Sequence, residues 1–174
     1  MAPGATSDRS FEGDEHDAAK RVLAGLEYPM VVVTASDGQR RAGCLVGFHA
    51  QCSIEPLRYL VCISVANSTF AVAMAADTLA VHFLAPGDVE LARLFGEQTG
   101  DEVDKFTLCE WTDGPSGVPI LTLRGGWLAG PVISRVRGGD HVPMILEVRA
   151  ARPPLQEGQI GSRTARQLHA GHPA

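Results

Sequence analysis

Residues 29–51 decide how this chain is read: Pro29-Met30-Val31-Val32-Val33-Thr34-Ala35, then Ser36-Asp37-Gly38-Gln39, then a return from Arg41 through Gly43-Cys44-Leu45-Val46-Gly47-Phe48-His49 to Gln51. The first piece is short and β-branched, which suits a pleated, packed surface. Asp-Gly is turn chemistry favoured between antiparallel strands. A strand, a tight turn and a returning strand are therefore predicted. Glycines at 43 and 47 mark bends or close approaches within the second strand, and Ser53-Ile54-Glu55-Pro56 breaks it.

Outward from this hairpin the texture stays β-rich. Residues 58–65 form a third strand whose run Tyr59-Leu60-Val61-Cys62-Ile63 predicts burial on both faces. Further strands are predicted at 78–84, 119–123, 126–136 and 141–151. A short amphipathic helix fits 15–26, a second fits 69–76 behind an Asn67-Ser68 cap, and a third fits 89–96 with Asp88 as cap. Residues 97–118 read as a long polar loop, a length that in small domains is usually functional or disordered. Residues 1–14 read as a disordered tail, 15–152 as the folded domain, and 153–174 as a tail or an exchanged arm. Some seven strands with turn signals and short helices argue for a mostly-β barrel decorated by helices. No βαβ alternation with a G-x-G-x-x-G turn is present, which excludes a dinucleotide-binding Rossmann unit.

The 174 residues carry 15 basic and 20 acidic side chains, and three of the five excess negative charges lie within residues 1–20. No basic stripe suggests a nucleic-acid partner. No apolar run is long enough to span a bilayer, and the N-terminus lacks the basic and apolar regions of a secretory signal. Cys44, Cys52, Cys62 and Cys109 form no C-x-x-C pair and are expected as free thiols in the cytoplasm. No metal site is expected, because the histidines are scattered.

Three stretches carry groups suited to chemistry. Along 43–56, small residues would let the main chain approach a planar ligand, with Ser53 offering a hydroxyl; a plain barrel strand bent at its glycines is the alternative. In Ser64-Val65-Ala66-Asn67-Ser68-Thr69, hydroxyls at a helix start suit a phosphate, or simply cap the helix. Gly139-Asp140-His141 places an imidazole beside a carboxylate that can fix its tautomer, or is only a turn into the last strand. His82 reads as a core histidine with satisfied hydrogen bonds.

In their order and spacing these motifs resemble the flavin reductase-like family of FMN-binding split β-barrels, over residues 27–152. The family's Gly-Phe/Met-Thr-Ala/Val-Ser/Asn-Ser-Phe followed by Ser-x-x-Pro-Pro is similar to Gly43–His49 and Ser53-Ile54-Glu55-Pro56, except that Leu45, Phe48 and His49 replace a threonine, a serine and a phenylalanine. The resemblance implies a Greek-key split barrel with flavin contacts from Leu45, Val46, Gly47, Phe48 and Ser53. It implies phosphate contacts from Asn67, Ser68 and Thr69. Asp104-Lys105-Phe106 matches a family tripeptide, which implies a lysine near phosphate or ring and a phenylalanine packed on the ring. His141 is implied as the catalytic residue beside flavin and nicotinamide. The implied activity is NAD(P)H-dependent reduction of FMN, with FAD also admitted, by a homodimer, with a monooxygenase as the implied partner. The alternatives are a flavoprotein that keeps its FMN, or a non-catalytic module that binds flavin or another cofactor such as deazaflavin or haem through His49 or His82.

Overall fold

The computed structural model describes residues 13–165 and Gln167; the expected N-terminal tail lies outside them except for Gly13 and Asp14. Val31, Val33 and Ala35 point to one side of strand β1 (Val31–Ser36), and Val32 and Thr34 point to the other. Both sides are fully buried. The turn after β1 forms as its residues dictate: Asp37 Oδ1 accepts from the amides of Gln39 and Arg40, and Gly38 takes φ +87°. The returning chain is two strands, β2 (Arg41–Val46) and β3 (His49–Ser53), separated by Gly47-Phe48. β2 pairs with β1, whereas β3 pairs with β4 (Arg58–Ser64).

The remaining strands are β5 (Thr78–Phe83), β6 (Trp111–Asp113), β7 (Pro119–Leu121), β8 (Trp127–Arg135), β9 (His141–Glu147) and β10 (Ala150–Arg152). The main sheet runs β2-β1-β5-β8-β9-β4-β3, with β10 on β8, and every pairing is antiparallel. Its two ends, β2 and β3, are joined by two residues, so the sheet must curl until its edges approach. Strands β1, β2–β3 and β4 follow one another, and β5 returns beside β1. This is the Greek-key order, in a barrel left open along the β2 edge.

Among the described residues, four α-helices complete the fold: α1 (Gly13–Ala24), α2 (Thr69–Ala75), α3 (Val89–Glu97) and α4 (Ser162–Ala165). Val72, Ala73 and Ala76 of the α2 region pack with Val31, Val33, Val61, Ile63 and Met144 inside the barrel. Ala92 and Phe95 of α3 pack on the outer side of β1, with Val32, Phe106, Leu121 and Ile160. That second layer buries β1 and β5 on both faces. The double burial expected for β4 is corrected: Val61 and Ile63 are buried, but Leu60 and Cys62 stay partly exposed, because none of the described helices covers the outer face there. None of the described helices is long and apolar enough to cross a membrane.

Two expectations about the ends change. α1 forms close to its predicted span, yet none of its residues is buried. The segment after residue 152 does not behave as a tail through 165. Ile160 is buried, its amide donates to Leu84 O, and its carbonyl accepts from Met30 N. Ser162 and Tyr28 exchange two further bonds, and Arg163 pairs with Glu27 at 2.7 Å. Scattered single contacts of this kind have no periodicity, so the sequence pattern could not show them.

His82 lies fully buried between layers. Nδ1 donates to Val32 O at 3.1 Å and Nε2 accepts from Leu121 N at 3.1 Å, which requires the neutral ring. Burial pushes its pKa down to about 4. An unfolded imidazole titrates near ~6.5. Above that pH both states are neutral; as pH falls from there towards 4, only the unfolded chain takes the proton, and stability drops by about 1.4 kcal/mol per pH unit. Urea unfolding at pH 7 and pH 5 should therefore show the natural protein losing roughly 2 kcal/mol more than His82→Gln. Equal losses would remove His82 from the acid sensitivity.

Candidate functional site

β2 is an edge strand. Hydrogen bonding alternates along an antiparallel ladder, so residues that pair with β1 alternate with residues that face outward. Gly43 O faces outward, because it accepts from Lys105 Nζ at 3.1 Å. The same parity turns the main-chain N–H and C=O of Leu45 to the open edge. A groove of about 640 Å³ runs along this edge, a size typical of small-molecule sites.

Cys44, Leu45, Val46, Gly47 and Phe48 form one wall of the groove, Ser64, Asn67 and His141 a second, and Leu23, Tyr28, Met30, Ser162 and Ala165 the rim. His141 is brought to Phe48 across the sheet: it pairs with Ser64 of β4, and its ring meets Phe48 edge-on at 5.1 Å. Asp140 Oδ1 lies 3.1 Å from His141 Nδ1, and this contact holds the exposed Asp140 carboxyl below its usual pKa. In the neutral ring with Nδ1–H given to Asp140, Nε2 is the nitrogen left to accept.

The bulky replacements do not plug the groove. Leu45 packs partly into the layer around Phe95. Phe48 is 56% exposed at the mouth, and a side chain added at Gly47 would meet only Met30. A planar heterocycle thus has room and an unpaired backbone edge to bond, and the residues present fit a flavin. Gly43 has a different role from the close ligand approach expected of it: a Cβ there would lie 2.7 Å from Phe95 Cε1, so it is small to admit the α3 aromatic.

The other expected site residues separate into groups. Asn67 lines the groove, but its Oδ1 is occupied by the Thr69 amide at 2.9 Å. Ser68 Oγ accepts from Gly100 N. The Thr69 hydroxyl is buried without an oxygen or nitrogen partner, against the Cys44 thiol. α2 has only seven residues, so any phosphate contact here rests on side chains rather than on a helix end. Ser53 is not brought to the groove. It sits with Ile54 and Glu55 in a separate depression at the β3–β4 tip, five strand residues beyond Phe48, or roughly 16 Å.

Lys105 and Phe106 also lie elsewhere. Asp104 Oδ1 caps the Phe106 amide and winds Lys105–Thr107 into a single 3-10 turn that directs both side chains inward. Phe106 is wedged between Phe95 and Trp111, at 5.7 and 5.8 Å. Lys105 Nζ donates to Gly43 O and Phe95 O, and burial lowers its pKa. The lysine therefore braces the β2 edge from behind. His49 and His82 are both spent as ligands: His49 bonds Tyr59 OH at 2.6 Å and Pro29 O at 2.8 Å, so in each histidine both ring nitrogens are engaged. This removes the observation on which a haem reading depended.

The profile of the flavin reductase like domain matches residues 23–163. The chain belongs to this family. It is 31% identical over 152 residues to an FMN reductase (NADH) of Pantoea ananatis, covering 86% of this chain and 77% of that one. It is 27% identical over 137 residues to the reductase subunit of a stachydrine N-demethylase of Rhizobium meliloti, covering 76% of this chain but only 57% of that subunit. Its fold is similar to that of a flavin reductase domain protein from Arthrobacter (TM-score 0.76, 20% identity, 91% and 96% of the two chains). It is similar also to an NADH:FAD oxidoreductase of Streptomyces globisporus (TM-score 0.74, 23% identity, 90% and 92%). At these identities the structural likeness concerns the fold. Family membership agrees with the mostly-β split barrel read from the sequence.

The rim residues Leu23, Tyr28, Ser162 and Ala165 were absent from the expected site, since only the clasp between the two ends of the chain brings them there. The thiols give a check on the geometry. Cys44 is buried in the wall, which pushes its pKa up to about 11, and Cys52 is exposed on β3. A thiol reagent at pH 8 should label Cys52 first and leave Cys44 unmodified until the chain unfolds. Early labelling of Cys44, read by peptide mapping, would show that the β2 wall opens.

Proposed function

We propose that this chain is a nicotinamide-dependent flavin reductase that takes FMN or FAD along the open edge of β2. The observation that carries this reading is the apolar groove whose one wall is unpaired main chain and whose mouth holds the Phe48–His141 pair. The names of the related FMN reductase and monooxygenase reductase subunits support the same activity. Flavin, when bound, supplies the redox centre that accepts hydride from the nicotinamide.

The protein's own share is positioning. The Leu45 backbone edge would hold the heterocycle, Gly47 would leave room for it, and Phe48 would exclude water at the mouth. His141, held by Asp140, presents Nε2 as an acceptor beside the ring. Of Asn67, Ser68 and Thr69, only Asn67 lines the groove, and its side-chain amide would be offered to the flavin phosphate. By analogy with the relatives, reduced flavin would pass to an oxygenase partner.

We infer a homodimer from the outer face of β3, β4 and β9. Ala50, Leu60 and Ile145 align across the three strands, and Cys62 faces Pro143 beside them. Among the described residues no element covers this row, and Phe48, Ile54, Leu57 and Val65 add exposed apolar surface at its ends. Monomers rarely leave such a face open. A second copy would cover it and close the groove mouth near His141.

Purified protein should quench added FMN fluorescence and oxidise NADH in its presence. His141→Ala should lower kcat by about ten- to a hundredfold, the scale of losing a positioning contact at the reacting atoms, with a smaller change in FMN affinity. Flavin binding without NADH oxidation would end the reductase reading, and unchanged turnover in the variant would remove His141 from it. Light scattering at micromolar concentration should give twice the chain mass; a single-chain mass would overturn the dimer.

A further inference from the structure

α1 has 12 residues, and none of them is buried. Isolated helices of that length are marginal in water, and in proteins they draw their stability from a packed apolar face. α1 carries such a face. Ala19, Val22 and Leu26 recur at helical spacing with Leu23 beside them. Val22 is 69% exposed, Leu23 59% and Leu26, just past the helix, 45%. Among the described residues no other element buries this stripe.

The barrel has the converse deficit. On the outer face of β4 and β9, Leu60, Cys62, Pro143 and Ile145 stay partly exposed in one apolar row, and none of the described helices covers it. A helix stripe and a sheet face that each lack a partner complete a layer when they meet. In its own chain α1 leaves the barrel at the groove mouth with its stripe still open, so the row it can cover is that of a second copy.

Length and charge fit this match. α1 spans roughly 18 Å and β4 roughly 20 Å. One end of each reaches the groove mouth, which Leu23 and Ser64 both line. The other ends carry opposite charge. Glu15 lies two turns before Val22 on the same helix face, and among the described residues it has no ion pair. Arg58 and Arg149 share the single carboxylate of Glu147, which leaves one positive charge uncompensated. A twofold axis that brings two groove mouths together lays each helix along β4 of the other copy. Glu15 then meets the arginine pair, and Val22 covers Leu60 and Cys62. We propose that α1 is an arm that docks on the β4–β9 face of a second copy of this chain. The inference rests on the dimer inferred above. Because α1 ends at the groove rim, the second copy also holds Leu23 in place, and flavin affinity depends on assembly.

Sedimentation velocity of the full chain measures self-association, and FMN fluorescence quenching over a dilution series measures flavin affinity. Val22→Asp should weaken association about tenfold or more, and Glu15→Arg should weaken it less. Adding Arg149→Glu to Glu15→Arg reverses both charges and should restore it. FMN affinity should fall on dilution in step with the loss of dimer, and at higher protein concentration in Val22→Asp. Dimers of natural strength in both single variants, or no restoration by the charge exchange, overturn the α1 contact and leave the dimer and the flavin groove standing. FMN affinity that ignores assembly overturns the support of the rim. A natural protein that stays a single chain overturns the dimer and the α1 contact together, while FMN binding by that single chain leaves the flavin reading intact.

Discussion

An antiparallel strand left without a partner on one side exposes a row of amides and carbonyls that must bond something. In this protein that row is the outer edge of β2, and the architecture is arranged around it. The strand cannot continue in one plane, because residues 41–46 belong beside β1 and residues 49–53 beside β4. The bend at Gly47-Phe48 resolves the conflict. It opens the barrel at that corner and leaves the β2 edge facing a groove rather than another strand.

Holding such an edge in place needs support from behind. Gly43 lets the Phe95 ring press against the strand, and Lys105 takes the carbonyl that β1 cannot reach. A buried ammonium is costly unless its donors are satisfied. Two carbonyls and the Phe95 ring, 5.5 Å from Nζ, meet that demand. His82 does the equivalent on the other side of β1, tying Val32 to the β7 segment. Polar groups buried here thus stiffen the layers that flank the open edge, while the groove stays apolar.

The elements that local chemistry specifies were legible. Val31–Ala35 reads as a strand from its branching, Asp37-Gly38 as a turn from its side-chain bonds, and Asn67 as a cap. The break at Gly47 was visible as a glycine but not as a change of sheet, because pairing partners are set by distant residues. The same reason hid the docking of Ile160 and the rim contributed by Tyr28 and Ser162. For the site, position along the chain placed Leu45, Gly47, Phe48, Asn67 and His141 around one groove. The strand carries Ser53 away from that groove, and the Asp104 cap turns Lys105-Phe106 inward. A tripeptide states which groups are near one another in sequence, not which way a turn will aim them.

The contrast between the two sides of the β2 wall follows from the same edge. On the groove side, Cys44, Val46 and Met30 give an apolar lining that lowers the local dielectric and favours a flat aromatic ligand. On the far side, the hairpin and the 100–106 loop bring unlike charges to one polar space. Arg41 begins the strand whose Leu45 faces the groove, four residues or about 13 Å away. The strand therefore fixes the separation between an apolar groove and a polar, charged space on the other side of the same wall.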